Sequence, residues 1–168
     1  MRSLLLGLLI ASSAYAGVYC HCQSLPTTAG ETLSGHRIVL ADALRSHPAV
    51  LIAGFSKDVG PACGEWVKSI QDDPALSAFT AYQVSMLQQA PSLIRGVIKS
   101  GMRKDLSADQ QDHFVVLTQD DKLWRDYFAV ASDKDPYVLL IDTSGQVLWH
   151  GHGAAANLEP LLKKALHP

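Results

Sequence analysis

The groups best suited to chemistry in this chain are its three thiols, Cys20, Cys22 and Cys63. Cys63 sits in Gly60-Pro61-Ala62-Cys63-Gly64-Glu65-Trp66, directly after the apolar run Val50-Leu51-Ile52-Ala53-Gly54-Phe55. The run has the pattern of a strand buried on both faces. Gly60-Pro61 reads as a helix start, because proline at a first helical position gives up an N–H that has no partner there anyway. Cys63 then falls in the first turn. The positive end of the helix dipole favours a thiolate at that place. A buried cysteine packing as a small apolar residue is the competing reading. Cys20 and Cys22 are one residue apart, which strains a direct bridge between them. A bridge from Cys63 to either stays open, and three thiols leave one over.

The other ligand-type residues are Cys20-His21-Cys22 and His150-Gly151-His152. Neither pair has a spacing specific for zinc, so no metal and no cofactor is expected. Asp72-Asp73, Asp120-Asp121 and Asp133 with Asp135 lie at expected helix ends and loops and read as solvated. No phosphate-binding glycine loop and no Gly-x-Ser-x-Gly elbow occurs.

The elements that must hold Cys63 follow from periodicity. Residues 1–16 carry Arg2, an apolar run from Leu4 to Ala11 and Ala14-Tyr15-Ala16, the pattern of a cleaved secretory signal peptide. Export near Ala16 implies a secreted or periplasmic chain in which disulfides persist. Residues 17–31 read as an extended N-terminal arm, and 32–168 as one domain. A short strand is expected within Leu33–Leu40, a helical turn at Asp42–Arg45 and a helix from Pro61 to about Gln71. A strand is expected at Phe79–Met86, with Tyr82, Val84 and Met86 on one side. A helix from Pro91 to about Gly101 would bury Leu93, Ile94, Val97 and Ile98. Ser107-Ala108-Asp109-Gln110 matches a capping box before the strand Phe114–Leu117. Asp120–Phe128 reads as a helix with Leu123, Tyr127 and Phe128 inward and Trp124 beside them. Tyr137–Asp142, a Thr143–Gln146 turn and Val147–His150 form a hairpin. Gly151-His152-Gly153 reads as a break, and Asn157 as the cap of a last helix. The net charge of −2 and the absence of a basic stripe argue against nucleic acid as a partner. No segment after the leader is long and apolar enough to span a bilayer.

This alternation predicts an α/β domain, a central mixed β-sheet with helices on both faces. From Thr32 to Leu166 the layout resembles the thioredoxin-like superfamily. The unit Asp135-Pro136-Tyr137-Val138-Leu139-Leu140-Ile141-Asp142 and the turn and strand after it are similar to that family's proline–strand–turn–strand. The resemblance implies a cis-proline at Pro136 facing the cysteine-bearing helix. Gly60-Pro61-Ala62-Cys63 falls where the family's oxidoreductases carry Cys-x-x-Cys, with Gly60 in place of the nucleophile. A single-site dithiol exchange needs a second thiol to resolve the mixed disulfide.

Lys57-Asp58-Val59-Gly60-Pro61-Ala62-Cys63 is also similar to the Lys-Asp-x-Thr-Pro-Gly-Cys of peroxiredoxins, with Cys63 at the peroxidatic position. Gly60 replaces the threonine, and Asp133 and Asp135 stand where an arginine is usual, which would raise the thiol pKa. Gly54-Phe55-Ser56-Lys57, Leu93-Ile94-Arg95-Gly96, His113-Phe114 and the strand from Tyr137 resemble an exported bacterial branch related to a mitochondrial ATP synthase assembly factor.

Two functions follow. In the first, the chain is a binding or assembly-type module that has lost dithiol catalysis. Gly60, Pro61, Trp66, Asp135 and Pro136 around Cys63 would then bind a protein or peptide segment. In the second it is a one-cysteine oxidoreductase acting on peroxide or protein disulfides. Cys63 would then be catalytic, resolved by Cys20, Cys22 or an outside thiol.

Overall fold

The computed structural model describes residues 24–45 and 47–166. Residues 1–16, read as a signal peptide, and Cys20 and Cys22 lie outside the described residues. Seven strands among the described residues make one sheet: β1 (Ala29–Thr32), β2 (Arg37–Val39), β3 (Ala49–Gly54), β4 (Thr80–Met86), β5 (Phe114–Leu117), β6 (Tyr137–Ile141) and β7 (Val147–His152). Their spatial order is β2-β1-β5-β4-β3-β6-β7. β4 runs parallel to β3 and β5, and the remaining neighbours are antiparallel, so the sheet is mixed.

Six helices among the described residues accompany the sheet: α1 (Leu40–Ala43), α2 (Gly60–Asp72), α3 (Ser92–Arg103), α4 (Ala108–Asp112), α5 (Asp121–Phe128) and α6 (Ala155–Ala165). Side chains alternate across β3 and β6. Leu51, Ala53, Leu139 and Ile141 pack with Leu40 of α1 and with Trp124 and Phe128 of α5. Val50, Ile52, Val138 and Leu140 pack on the other face with Cys63, Trp66 and Ile70 of α2 and Leu162 of α6. Both faces of the central strands are therefore covered, which is why β3 reads as an unbroken apolar run.

The expected strands, the hairpin and the Ser107 capping box are all present. Other expectations are corrected. The segment read as an arm reaches into the domain: Leu25 and Thr28 are buried, and Ala29–Thr32 pairs with both β2 and β5. Strand pairing, not local periodicity, orders this short piece. Asn157 lies inside α6, whose N-cap is Ala154. His152, read as part of a break, is the last residue of β7. Leu123 points outward, because Trp124 and Phe128, one turn apart, take the core side of α5. α3 buries no residue fully, and Leu93, Ile94 and Val97 are exposed. The helix turns its other side inward. Ile98 and Met102 pack on Phe114 and Val116, and Arg95, Lys99 and Arg103 bond groups of the domain.

Candidate functional site around the first turn of the second helix

β3 ends at Gly54, a 3-10 turn spans Lys57–Val59, and α2 starts at Gly60 with Pro61 second. Cys63 follows in the first turn, as the sequence predicts. Its side chain does not face solvent. It is 2% exposed and lies among Val59, Trp66, Val138 and the rest of the α2-side core. A Cβ built on Gly54 would stand 3.2 Å from the Cys63 Sγ and 2.8 Å from a Val59 methyl. Only a glycine lets the strand end and the sulfur pack this closely.

Burial pushes the Cys63 thiol up to about 12. At neutral pH a thiol of that acidity is ionised to only about one part in 10⁵. The helix dipole works the other way, worth about 0.3–1 kcal/mol. The cost of holding an anion out of water is several kcal/mol, and it wins.

Trp66, expected on a binding surface, is fully buried. Its role is internal. Its indole Nε1 donates to the carbonyl of Gly153 at 2.8 Å, and the Gly153 N–H donates to the carbonyl of Pro136 at 2.9 Å. α2, the end of β7 and the start of β6 are thereby laced together. Gly153 has φ +120°, a conformation that suits glycine.

Pro136 is buried, and no peptide bond among the described residues is cis. The cis-proline implied by the resemblance is corrected to trans. The trans form is the ordinary preference of an X–Pro bond, and here the Pro136 carbonyl extends the β6–β7 ladder by one bond.

Pro61 is exposed, Gly60 and Asp135 are half-buried, and Lys57 and Asp58 are exposed beside them. A Cβ on Gly60 would meet nothing within 4 Å. Position 60 thus has room for a side chain.

Asp133 and Asp135 do not set the acidity of Cys63, for which burial is the cause. Asp133 is claimed by Arg125, a residue outside the sequence-based expectations. The Arg125 guanidinium donates to both Asp133 carboxylate oxygens, at 2.6 and 3.1 Å, and through Nε to Asp121 at 2.8 Å. It also lies 5.0 Å from the centroid of the Phe55 ring. Arg125 holds the Asp133 carboxyl below its ordinary range. The Ser56 hydroxyl donates to the Asp133 carbonyl at 2.8 Å, which fixes the 132–136 loop against the β3–α2 turn. The i,i+4 spacing of Asp121 and Arg125 was the available sequence signal. Asp133 is joined only in space.

Asp135 reaches the His152 Nδ1 at 3.8 Å, and the His152 ring stacks on Tyr137 with centroids 5.2 Å apart. His150 has its pKa lowered, first by burial and then by His152. No group of three or more Cys, His, Asp or Glu side chains suited to a metal ion occurs among the described residues. A groove of about 410 Å³ flanks α2, lined by Gly64, Val67, Phe79, Leu106 and His113 among others. Its walls do not include Cys63. No helix among the described residues is long and apolar enough to cross a membrane.

No protein-family model matches the chain, and no curated protein does. Solved structures do. The thioredoxin domain of a thiol-disulfide oxidoreductase from Bacteroides vulgatus superposes with a TM-score of 0.58 at 16% identity, covering 85% of this chain and 95% of that one. The putative thiol:disulfide interchange protein DsbE of Chlorobium tepidum gives a TM-score of 0.57 at 19% identity, with 85% and 93% covered. BsSco, described as a member of the Sco family of cytochrome c oxidase assembly proteins, gives 0.53 at 13% identity, with 89% and 93% covered. At these identities the likeness is one of architecture, and the fold of this chain is thioredoxin-like.

Proposed function

We infer that this chain is an exported thioredoxin-fold binding or assembly-type module without a dithiol site. The observation that carries the reading is the state of Cys63: a sulfur 2% exposed, its thiol pushed up to about 12, with Gly60 in place of a first cysteine. A nucleophilic thiol needs thiolate character and access, and Cys63 has neither. The same fold is carried by an Sco-family assembly protein as well as by oxidoreductases, so it accommodates both roles. The short motifs that resemble an exported bacterial branch related to a mitochondrial ATP synthase assembly factor favour assembly. The rim of exposed Lys57, Asp58 and Pro61 with half-buried Gly60 and Asp135 is the surface offered to a protein or peptide segment. Cys63, Trp66 and Pro136 support it from beneath.

The test uses the full chain carrying Cys20→Ser and Cys22→Ser, so that Cys63 is the one thiol. Its rate of labelling by a thiol reagent is followed across pH, then its oxidation by peroxide. Slow labelling that rises only with denaturant is the expected result. A thiol titrating below the free value of about 8.5, with rapid oxidation, would replace this reading with the one-cysteine redox enzyme.

A further inference from the structure

The described residues begin at Ser24. Leu25 is buried in the cluster that covers one face of the sheet, together with Leu139, Ile141 and Val147. Ser24 and Leu25 share a cavity of about 260 Å³ with Gln146 and Val147 at the start of β7. Toward its N-terminus the chain therefore leaves the domain beside the first residue of that strand. Further along β7 stand His150 and His152. His150 lies opposite Leu139 and His152 opposite Tyr137, as Val147 lies opposite Ile141. Opposed residues of an antiparallel pair share a side of the sheet. One extra residue, Leu148, keeps Val147 in step with the two histidines. Both imidazoles thus stand on the side where Leu25 packs, and Cys63 packs on the other. The sheet separates the exit at Ser24 from the Cys63 sulfur.

His150 is half-buried and His152 exposed. The His152 ring is stacked on Tyr137, and the Asp135 carboxylate stands 3.8 Å from its Nδ1. A carboxylate beside one imidazole nitrogen is a usual outer partner of a ligating histidine, and it leaves Nε2 for an ion. Cys22 and Cys20 come two and four residues before Ser24. They reach at most about 7 and 14 Å from it. By the register of their partners, His150 and His152 lie about 7 and 14 Å from Val147 along the sheet.

We propose that Cys20, Cys22, His150 and His152 bind one zinc ion, with the segment before Ser24 laid along β7 on the side that carries the histidines. Two thiolates and two imidazoles make a closed tetrahedral zinc set. Residues two apart in an extended chain face the same way, so each pair presents both its ligands to the other. The ion also answers the question of what the two thiols pair with. A bridge between Cys20 and Cys22 is strained, and Cys63 is buried beyond the sheet. Binding releases the two thiol protons to solvent and changes no oxidation state. The site stands apart from the rim around Pro61 and does not depend on what that rim binds.

The test is titration with Co(II) and then Zn(II) of the full chain, reduced and freed of metal with air excluded. Cys20→Ser/Cys22→Ser and His150→Gln/His152→Gln are compared with the parent. The parent is expected to bind one Co(II) per chain, with the intense near-ultraviolet absorption of a cobalt thiolate and the visible bands of a tetrahedral ion. Zinc is expected to abolish both. Each double variant is expected to bind zinc at least about 100-fold more weakly, since losing ligands costs no less than losing their outer partners. Circular dichroism of the metal-free chains checks their folding. His152→Gln alone, at an exposed site, is expected to lose about tenfold and serves where the double variant does not fold. Absence of the thiolate band, or zinc affinity unchanged by the histidine substitutions, overturns the proposal. So does one zinc per two chains, which would give the cysteines to a site between copies.

Discussion

The indole of Trp66 and the carbonyl of Gly153, 87 residues apart in sequence, are joined by a 2.8 Å hydrogen bond inside the core. Through Gly153 the same tryptophan fixes the Pro136 carbonyl. This bond makes the helix that carries Cys63 and the loop that carries Asp135 one rigid unit. Trp66→Phe keeps most of the apolar volume and removes the donor. Leaving the Gly153 carbonyl unsatisfied is expected to cost about 1–3 kcal/mol. Urea unfolding checks it, and an unchanged midpoint would show that the bond contributes nothing.

Cys63 behaves in this structure as a core residue. Cys63→Ser puts a hydroxyl among Val59, Trp66 and Val138. The expected loss is about 1–3 kcal/mol for a polar group buried without a partner. Cys63→Ala should cost less than serine despite being smaller. The reverse order, measured by thermal or urea unfolding, would mean that the sulfur sits in a polar environment.

Gly60 leaves room for a side chain: a Cβ there would have nothing within 4 Å, and the backbone holds ordinary helical angles of −49° and −49°. Gly60→Cys therefore completes a Cys-Pro-Ala-Cys sequence without a clash. A half-exposed thiol at the helix start should be more acidic and faster to label than Cys63. Mass spectrometry with thiol counting, in a Cys20→Ser, Cys22→Ser background, would register an oxidised pair as the loss of two hydrogens. If the new thiol labels no faster than Cys63, the helix start does not activate a sulfur in this chain.

Arg125 ties α5 to the 132–136 loop through Asp133. The Asp133 carboxyl is held below its ordinary value in the folded chain. Its stabilising contribution is therefore present above the unfolded carboxylate value and is lost as pH falls from about 4 towards the lower folded value. Arg125→Met removes that contribution, the bond to Asp121 and the contact over Phe55. The variant should be less stable than the parent by about 2 kcal/mol at neutral pH. The gap should narrow as pH falls below about 4. Parallel stability curves across that range would show that the Arg125–Asp133 pair carries no pH-dependent stability.

Much of the site was legible in the chain. Strand β3, the Gly60-Pro61 helix start, the Ser107 capping box and the β6–β7 hairpin were all readable, because each is set by local pattern and turn chemistry. The first-turn place of Cys63 followed from the same proline. The buried side of β4, with Tyr82, Val84 and Met86, was readable too; what could not be read was which side of α3 and α5 faces the core. α3 carries two apolar sides, and the choice between them was made by Ile98 and Met102 against β5 and by Arg95, Lys99 and Arg103 against oxygens of Ala90, Glu31 and Leu33.

Composition and spacing by themselves determined the α/β alternation, the strand that feeds a helix and the place of Cys63 in the first turn of that helix. Tertiary structure decided that the Cys63 sulfur is buried in the same core cluster as Val59 and Trp66, that Pro136 is trans and that Arg125 answers Asp133. The reason is physical. Helix starts and strand runs arise from forces between near neighbours in sequence. Burial, and the acidity that follows from it, depends on groups the chain brings together from distant parts of its length.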